Sequence, residues 1–225
     1  MNWEDEGFVI GKRRFRENAI ILDIFTGKFG KASGIVYGGT SRKVKNHLQL
    51  MNKIFIIHTS KSENKIGYFK TELIKPISPK YFDNKNKILC LNSLSSILKS
   101  TLPENQAQKK IYTSLCYLLD NFSKDNWMSL YLNWEVELIQ YLGFGFNINK
   151  ADTKKDFNEN TITINVDNVS YKMPKFLISK NLEKINNNDI YNGLNFVRNL
   201  LENKFFNPNN LRFPYSRKLL EKKFI

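Results

Sequence analysis

The chain is short of the residues on which most recognisable chemistry is built. It has two cysteines and two histidines in 225 residues. His47 and His58 lie far apart in sequence, and neither stands in a metal-ligand spacing with Cys90 or Cys116, so no metal centre is expected. Both cysteines fall within apolar helical patterns, where reduced thiols act as packing residues. No apolar run approaches the ~20 residues that a membrane-spanning helix needs. The opening Met1-Asn2-Trp3-Glu4-Asp5-Glu6 has neither the basic nor the apolar segment of a secretory signal. These absences predict a soluble, cytoplasmic chain with no membrane partner.

Enzyme signatures are missing as well. Gly27-Lys28-Phe29-Gly30-Lys31 places two residues between its glycines where a phosphate-binding loop needs four. There is no Gly-x-Ser-x-Gly elbow and no carboxylate cluster suited to Mg²⁺. Glu135 and Glu137 would point about 200° apart on a helix, which suits local pairing better than acid–base work. The sequence therefore predicts no catalytic residue, no cofactor and no small-molecule substrate.

What the chain does have is positive charge, a formal +14. Lysine, asparagine and isoleucine are all abundant, as in proteins from AT-rich genomes, so lysine alone says little. Arginine is depleted by the same bias. Of only seven arginines, Arg13, Arg14, Arg16 and Arg42 fall within a 30-residue stretch. From Lys12 to Lys45 nine cations (Lys12, Arg13, Arg14, Arg16, Lys28, Lys31, Arg42, Lys43, Lys45) face only Glu17 and Asp23, a net +7. Half of the excess charge is thus concentrated near the N-terminus, an electrostatic footprint for a polyanion.

The hydrophobic pattern divides the chain. Five β-branched and aromatic runs occupy Gly7–Phe15, Ala19–Phe25, Lys31–Tyr37, Lys53–Thr59 and Ile66–Ile74, separated by glycine-containing turns. Gly38-Gly39 opens a basic loop over Thr40–Asn46. Five strands with the longest interruption after the third fit an OB-fold barrel better than a sandwich, which would need about seven.

Beyond Pro76 and Pro79 the period lengthens to that of helices. One helix is expected over Ile88–Thr101, a second over Asn105–Phe122, and a third capped by Asp125 and ended by Gly143 in a left-handed turn. Trp127 and Trp134 lie on the third helix's apolar stripe, where core packing is the simpler reading. Residues 150–160 read as a polar connection, 161–173 as an isolated hairpin, and Asp189–Asn203 as a last helix before a basic tail. The expected architecture is α+β: a barrel domain over 1–78 and a predominantly helical domain over 79–225.

Several segments occur together in the order found in one family. Met1-Asn2-Trp3-Glu4-Asp5-Glu6-Gly7-Phe8-Val9-Ile10 is followed by Phe25-Thr26-Gly27-Lys28-Phe29-Gly30-Lys31 and by Gly34-Ile35-Val36-Tyr37-Gly38-Gly39 with Ser41-Arg42-Lys43. Trp134-Glu135-Val136-Glu137-Leu138-Ile139-Gln140-Tyr141-Leu142-Gly143-Phe144-Gly145 comes last. This colinear set, over about residues 1–150, resembles the RecO recombination-mediator family.

The resemblance implies a non-catalytic DNA repair and recombination protein of the bacterial cytoplasm and nucleoid. Such a protein binds single- and double-stranded DNA and anneals complementary strands. It also joins RecR and the tail of single-stranded DNA-binding protein, and so acts indirectly on RecA loading. Members often carry a zinc-binding cysteine cluster after the helix that here ends at Gly143. This chain has no cysteine beyond Cys116, so that ligation is not carried over.

The residues expected to meet phosphates are Lys12, Arg13, Arg14, Arg16, Lys28, Lys31, Arg42, Lys43 and Lys45. Strand alternation would put Lys12, Arg14 and Arg16 on one face and Arg13 on the other. Phe15, Phe29, Tyr37 and Tyr68 are near enough to be considered for base stacking, and Phe29 and Tyr37 adjoin turns that favour exposure. Two other readings stay open on charge alone: an RNA-binding OB module, and a non-catalytic adaptor for an acidic protein.

Overall fold

A computed structural model of the chain describes residues 2–61, 66–144, 160–167, 169–178 and 185–225. Two compact units emerge: residues 1–112 with 214–220, and residues 113–213 with 221–225.

The first unit is built on a closed barrel of β1 (Trp3–Arg16), β2 (Ala19–Thr26), β3 (Gly30–Tyr37), β4 (Lys53–Thr59) and β5 (Gly67–Lys75). The strand order is β1-β2-β3-β5-β4, with only the β3–β5 pairing parallel. This is the OB-fold expected from five runs and a long third connection. Its inner core includes Val9, Leu22, Ile24, Val36, Ile54 and Ile56, all buried. Each such side chain contributes about 1.5–3 kcal/mol through removal from water.

Strand β1 begins four residues before the apolar run that predicts it. Trp3 to Phe8 pair with β4, so the acidic leader is part of the barrel. The segment Thr40–Asn46, expected as a loop, contains helix α1 (Arg42–His47). Ser41 caps it, its hydroxyl accepting from the Val44 N–H at 3.4 Å. Val44 and the buried Leu48, one helical turn apart, pack against the barrel core.

Strand β1 bulges at Ile10, between Val9 and Gly11. The Ile10 carbonyl, released from regular pairing, accepts a hydrogen bond from Ser95 of α2 (Lys85–Thr101). Lys99 of the same helix meets the buried Asp23 at 2.6 Å, and Ser33 donates to that carboxylate at 2.8 Å. Thus α2 covers one outer sector of the barrel. Its N-cap is Asn84 and it stops at Leu102, before Pro103.

The second unit is mainly helical. Most of α3 (Lys109–Asp120) belongs to it, as do α4 (Trp127–Ile139), α5 (Lys175–Ile178) and α6 (Asn187–Leu201). A seven-residue helix α7 (Tyr215–Glu221), all but its last residue part of the first unit, lies in the tail that the sequence presents only as basic. Asn126, not Asp125, is the N-cap of α4, and its side chain makes no capping bond. Gly143 ends the following turn with φ 89°, the left-handed conformation expected there. Trp134 is buried beside Tyr131, and Trp127 meets Phe122 edge-on, so both tryptophans serve packing.

Strands β6 (Thr161–Val166) and β7 (Val169–Pro174) form the predicted hairpin. Its buried positions include Ile162, Ile164, Val166, Tyr171 and Met173, and Tyr171 lies edge-on to Phe196 of α6. These apolar side chains offer no zinc ligand, and among the described residues no three His, Cys, Asp or Glu gather in a metal-binding group. Apart from Asn160, the polar connection over 150–160 lies outside the described residues. Among the described residues no helix is long and apolar enough to cross a membrane.

Candidate nucleic-acid interface

The arginine-rich half of β1 is positioned by its pairing with β2. Lys12 stands opposite Leu22, Arg13 opposite Ile21 and Arg14 opposite Ile20. Leu22 and Ile20 belong to the inner core, so Lys12 and Arg14 share the inward-facing side of the strand at the barrel mouth. Arg13 shares the outer side with Ile21, which packs with Ala19 and Ile35 in a separate apolar cluster.

A second bulge follows. Arg16, two residues on from Arg14, is level with Ala19, only one residue from Ile20. The shift moves Arg16 to the outer side with Arg13, where strict alternation would have kept it with Lys12 and Arg14. One extra residue inverts the facing of everything after it. Arg16 comes to lie over the Phe15 ring at 5.2 Å.

Lys12, Arg13, Arg14 and Lys45 line one groove of about 390 Å³ together with Ile20, Gly39 and Thr40. The Gly38-Gly39 turn closes it. Gly38 adopts φ 67°, and a Cβ on Gly39 would lie 2.6 Å from Ile20, so the backbone can approach the strand only without a side chain. The Gly38 N–H donates to the Asn18 carbonyl at 2.8 Å, and Thr40 hydrogen-bonds Asn18 at 3.1 Å. These bonds tie the loop to the β1–β2 turn and bring α1 to the barrel mouth. Lys45, in the last turn of α1, sits where the helix dipole favours a cation.

The Lys12 ammonium donates to the Leu48 carbonyl at 2.7 Å, which fixes its position and leaves two N–H donors. Its pKa is lowered, first by loss of hydration and then by the neighbouring Lys45 cation. Cations are therefore crowded here, and among the described residues no carboxylate forms an ion pair with Lys12, Arg13, Arg14 or Lys45, an arrangement that an external anion would relieve.

The other predicted cations fall elsewhere. Arg42 and Lys43 are exposed on α1 but do not line the groove. Lys28 is in the β2–β3 turn, 3.9 Å from Asp5. Lys31 is held by the Lys99 carbonyl at 2.9 Å and by Glu104 at 3.3 Å. Lys31 pairs with Phe25 whereas Tyr37 pairs with Ala19, so Lys31 lies six residues, about 20 Å, along β2 from the arginine end.

The aromatic candidates separate in the same way. Phe29 is stacked on Trp3, ring centres 4.4 Å apart and 17° from parallel. Trp3 also stacks on His58 at 4.8 Å, which makes Phe29 part of a packed aromatic column. Tyr37 is 61% exposed and stands on the arginine side of the hairpin. Gly39 and Thr40, which wall the groove, and Tyr68, which lies beside Tyr37, were reached only weakly from sequence. Tyr68 arrives through the parallel β3–β5 pairing, a long-range contact with no local signature.

The N-terminal part of the chain matches the family model described as Recombination protein O N terminal over residues 1–77. The model described as Recombination protein O C terminal matches residues 84–212, well past the region near residue 150 where the sequence resemblance fades. The DNA repair protein RecO of Hyphomonas neptunium is 34% identical over 154 residues, covering 67% of this chain and 63% of that protein. Its counterpart in Ehrlichia chaffeensis is 33% identical over 162 residues, covering 71% and 65%. The protein of the same name from Roseobacter denitrificans is 32% identical over 145 residues, covering 64% and 60%. The similarity thus spans somewhat less than two thirds of each relative's length.

Proposed function

Since the chain belongs to the RecO family, we propose that it acts in DNA repair and recombination as a non-catalytic DNA-binding protein whose barrel holds the phosphate backbone. In this reading Lys12, Arg13, Arg14 and Lys45 are the phosphate contacts of the groove. Arg16 extends them on the outer face, and Arg42 and Lys43 extend them along α1. The protein anneals complementary strands, and with RecR it helps load RecA onto DNA coated by single-stranded DNA-binding protein, whose acidic tail docks on the helical unit. Double-stranded DNA is held through its phosphates by a subset of these cations. Lys28 and Lys31 have weaker claims, because the first has Asp5 nearby and the second is bound up with Lys99 and Glu104.

The observation that carries the reading is the convergence of four cations from two separate sequence segments on one groove. A cationic surface needed only for solubility has no reason to fold a glycine turn over itself and bring Lys45 beside Lys12, whose pKa is lowered first by burial and then by that second cation. Phosphate binding supplies one, since each neutralised phosphate releases condensed counterions and adds a favourable, salt-dependent contribution.

The test is strand annealing and single-strand binding by the full chain, with charge-removing substitutions at Arg13, Arg14 and Lys45. The expected result is tight, salt-sensitive binding and accelerated annealing without nucleotide hydrolysis, both weakened by the substitutions. Unchanged binding and annealing in the variants would overturn the site. Competition between matched DNA and RNA strands at fixed salt separates this function from RNA binding. Acidic-protein binding without nucleic-acid affinity would point to the adaptor instead.

A further inference from the structure

The outer face of the barrel carries a feature that phosphate binding does not use. Tyr37 and Tyr68 stack in the open, 61% and 41% exposed, with ring centres 5.5 Å apart and planes 18° from parallel. Tyr68 reaches Tyr37 because Ile35, two residues before Tyr37 on β3, pairs with Tyr68 on β5. Ala19, Ile21 and Ile35, on the same sheet face, already form a buried cluster of their own. That layer is filled by aliphatic side chains, and Tyr37 leaves most of its ring in water. An exposed phenol pair of this kind adds little to the core.

Charge surrounds the pair on one side. Arg16 is level with Ala19, and Ala19 is level with Tyr37, so Arg16 and Tyr37 stand two strand spacings, about 10 Å, apart on one face. The Tyr37 phenol is raised above its ordinary pKa, mainly by hydrogen bonding with Tyr68, while Arg16 acts in the opposite direction. At physiological pH the Tyr37 ring is therefore neutral and does not repel a polyanion. Arg13 stands on this outer side too, opposite Ile21.

We propose that the Tyr37–Tyr68 pair is a stacking platform for an unpaired nucleobase of a single strand whose phosphates are held at Arg13 and Arg16. The proposal rests on the phosphate-binding reading and adds to it a contact with the base itself. Bases offer open faces only where a strand is unpaired, so this platform gives the barrel a preference for single strands that phosphate contacts alone do not supply. Stacking needs no particular base, because every base has a π face. Tyr37, the more exposed ring, takes the base, and Tyr68 backs it.

The experiment measures binding of the full chain to three probes: an oligo-dT strand, a strand of equal length lacking its bases, and a duplex. Tyr37→Ala is expected to weaken oligo-dT binding roughly 5- to 150-fold, the equivalent of about 1–3 kcal/mol per stacked base. It should leave binding to the abasic strand and the duplex unchanged, and the slope of affinity against salt should not move. Tyr37→Phe, which keeps the ring, should retain most of the oligo-dT affinity. An equal loss on the abasic strand, a changed salt slope, or no loss on oligo-dT would overturn the platform. The phosphate reading fails separately, through unchanged salt slopes in the arginine variants, so the two failures are distinguishable. Tyr68→Ala, expected to show a smaller oligo-dT loss with the same abasic indifference, provides a second reading if Tyr37→Ala disturbs β3.

Discussion

Removing Arg14 and Lys45 together asks whether the groove or the overall charge binds DNA. The two residues come from β1 and α1, and both line the groove with Lys12 and Arg13. Each phosphate contact on a single strand contributes a slope of about −0.7 in log affinity against log salt. Four groove cations therefore contribute about −2.8, and the Arg14→Gln, Lys45→Gln variant retains about −1.4. Over a fourfold rise in salt, the wild-type groove share of affinity falls roughly 50-fold and that of the variant about 7-fold. Fluorescence anisotropy with labelled oligo-dT over a salt series measures both slopes. Lys28→Gln with Lys31→Gln is the matched control, since it removes the same formal charge at the far end of the hairpin. The expected control slope is close to wild type. Equal slope changes in the two variants would show that bulk charge, not the groove, carries binding, and an unchanged slope in the Arg14, Lys45 variant would refute the geometry outright.

Phe29→Ala should cost stability and spare DNA binding. Losing the ring stacked on Trp3 is expected to remove about 1–3 kcal/mol in urea unfolding, with oligo-dT affinity at fixed salt unchanged. Gly30→Ala and Gly38→Ala share a positive φ but differ in surroundings. A Cβ on Gly30 would meet the Gln106 carbonyl at 1.9 Å, whereas one on Gly38 meets nothing within 4 Å. Unfolding should show a cost of about 1–2 kcal/mol for Gly38→Ala and a clearly larger one for Gly30→Ala. Lys12 gives a pH test. Its folded pKa lies below its ordinary value, so as pH rises through the folded pKa the native protein sheds a proton that the unfolded chain keeps, and the cost of holding this charge in the fold is relieved. In that alkaline window, below about 10.4, the wild-type salt slope should flatten by up to about 0.7 while Lys12→Arg keeps its slope. Identical alkaline profiles would remove Lys12 from the phosphate contacts.

The barrel was legible because each of its strands is a contiguous apolar run bounded by glycine or polar turns, and β4 occupies the same span, Lys53–Thr59, in sequence and structure. The acidic leader was not, since Glu4, Asp5 and Glu6 join β1 through pairing with β4 rather than through their own preference. The basic composition of Arg42 to Asn46 suggested a loop. Val44 and Leu48 nevertheless have the four-residue spacing of a helix, and that was the available signal. For the site, arginine clustering drew attention to the strand end that lines the groove with Gly39, Thr40 and Lys45. Facing was lost at the Arg14–Arg16 bulge, because alternation rules hold only while the register is unbroken. Lysines counted by proximity in sequence included Lys31, which is far from the groove in space and held by the Lys99 carbonyl and Glu104.

If the proposed phosphate contacts hold, the same bulge sorts ligands by stiffness. Because it turns Arg16 outward while Arg14 stays inward, the cations line both sides of a rim one strand thick. A polymer that touches both sets must change direction over a few ångströms. A single strand can make that corner by rotating a few backbone bonds. Duplex DNA, with a persistence length of about 50 nm, follows the rim on one side or the other and leaves the remaining cations unused.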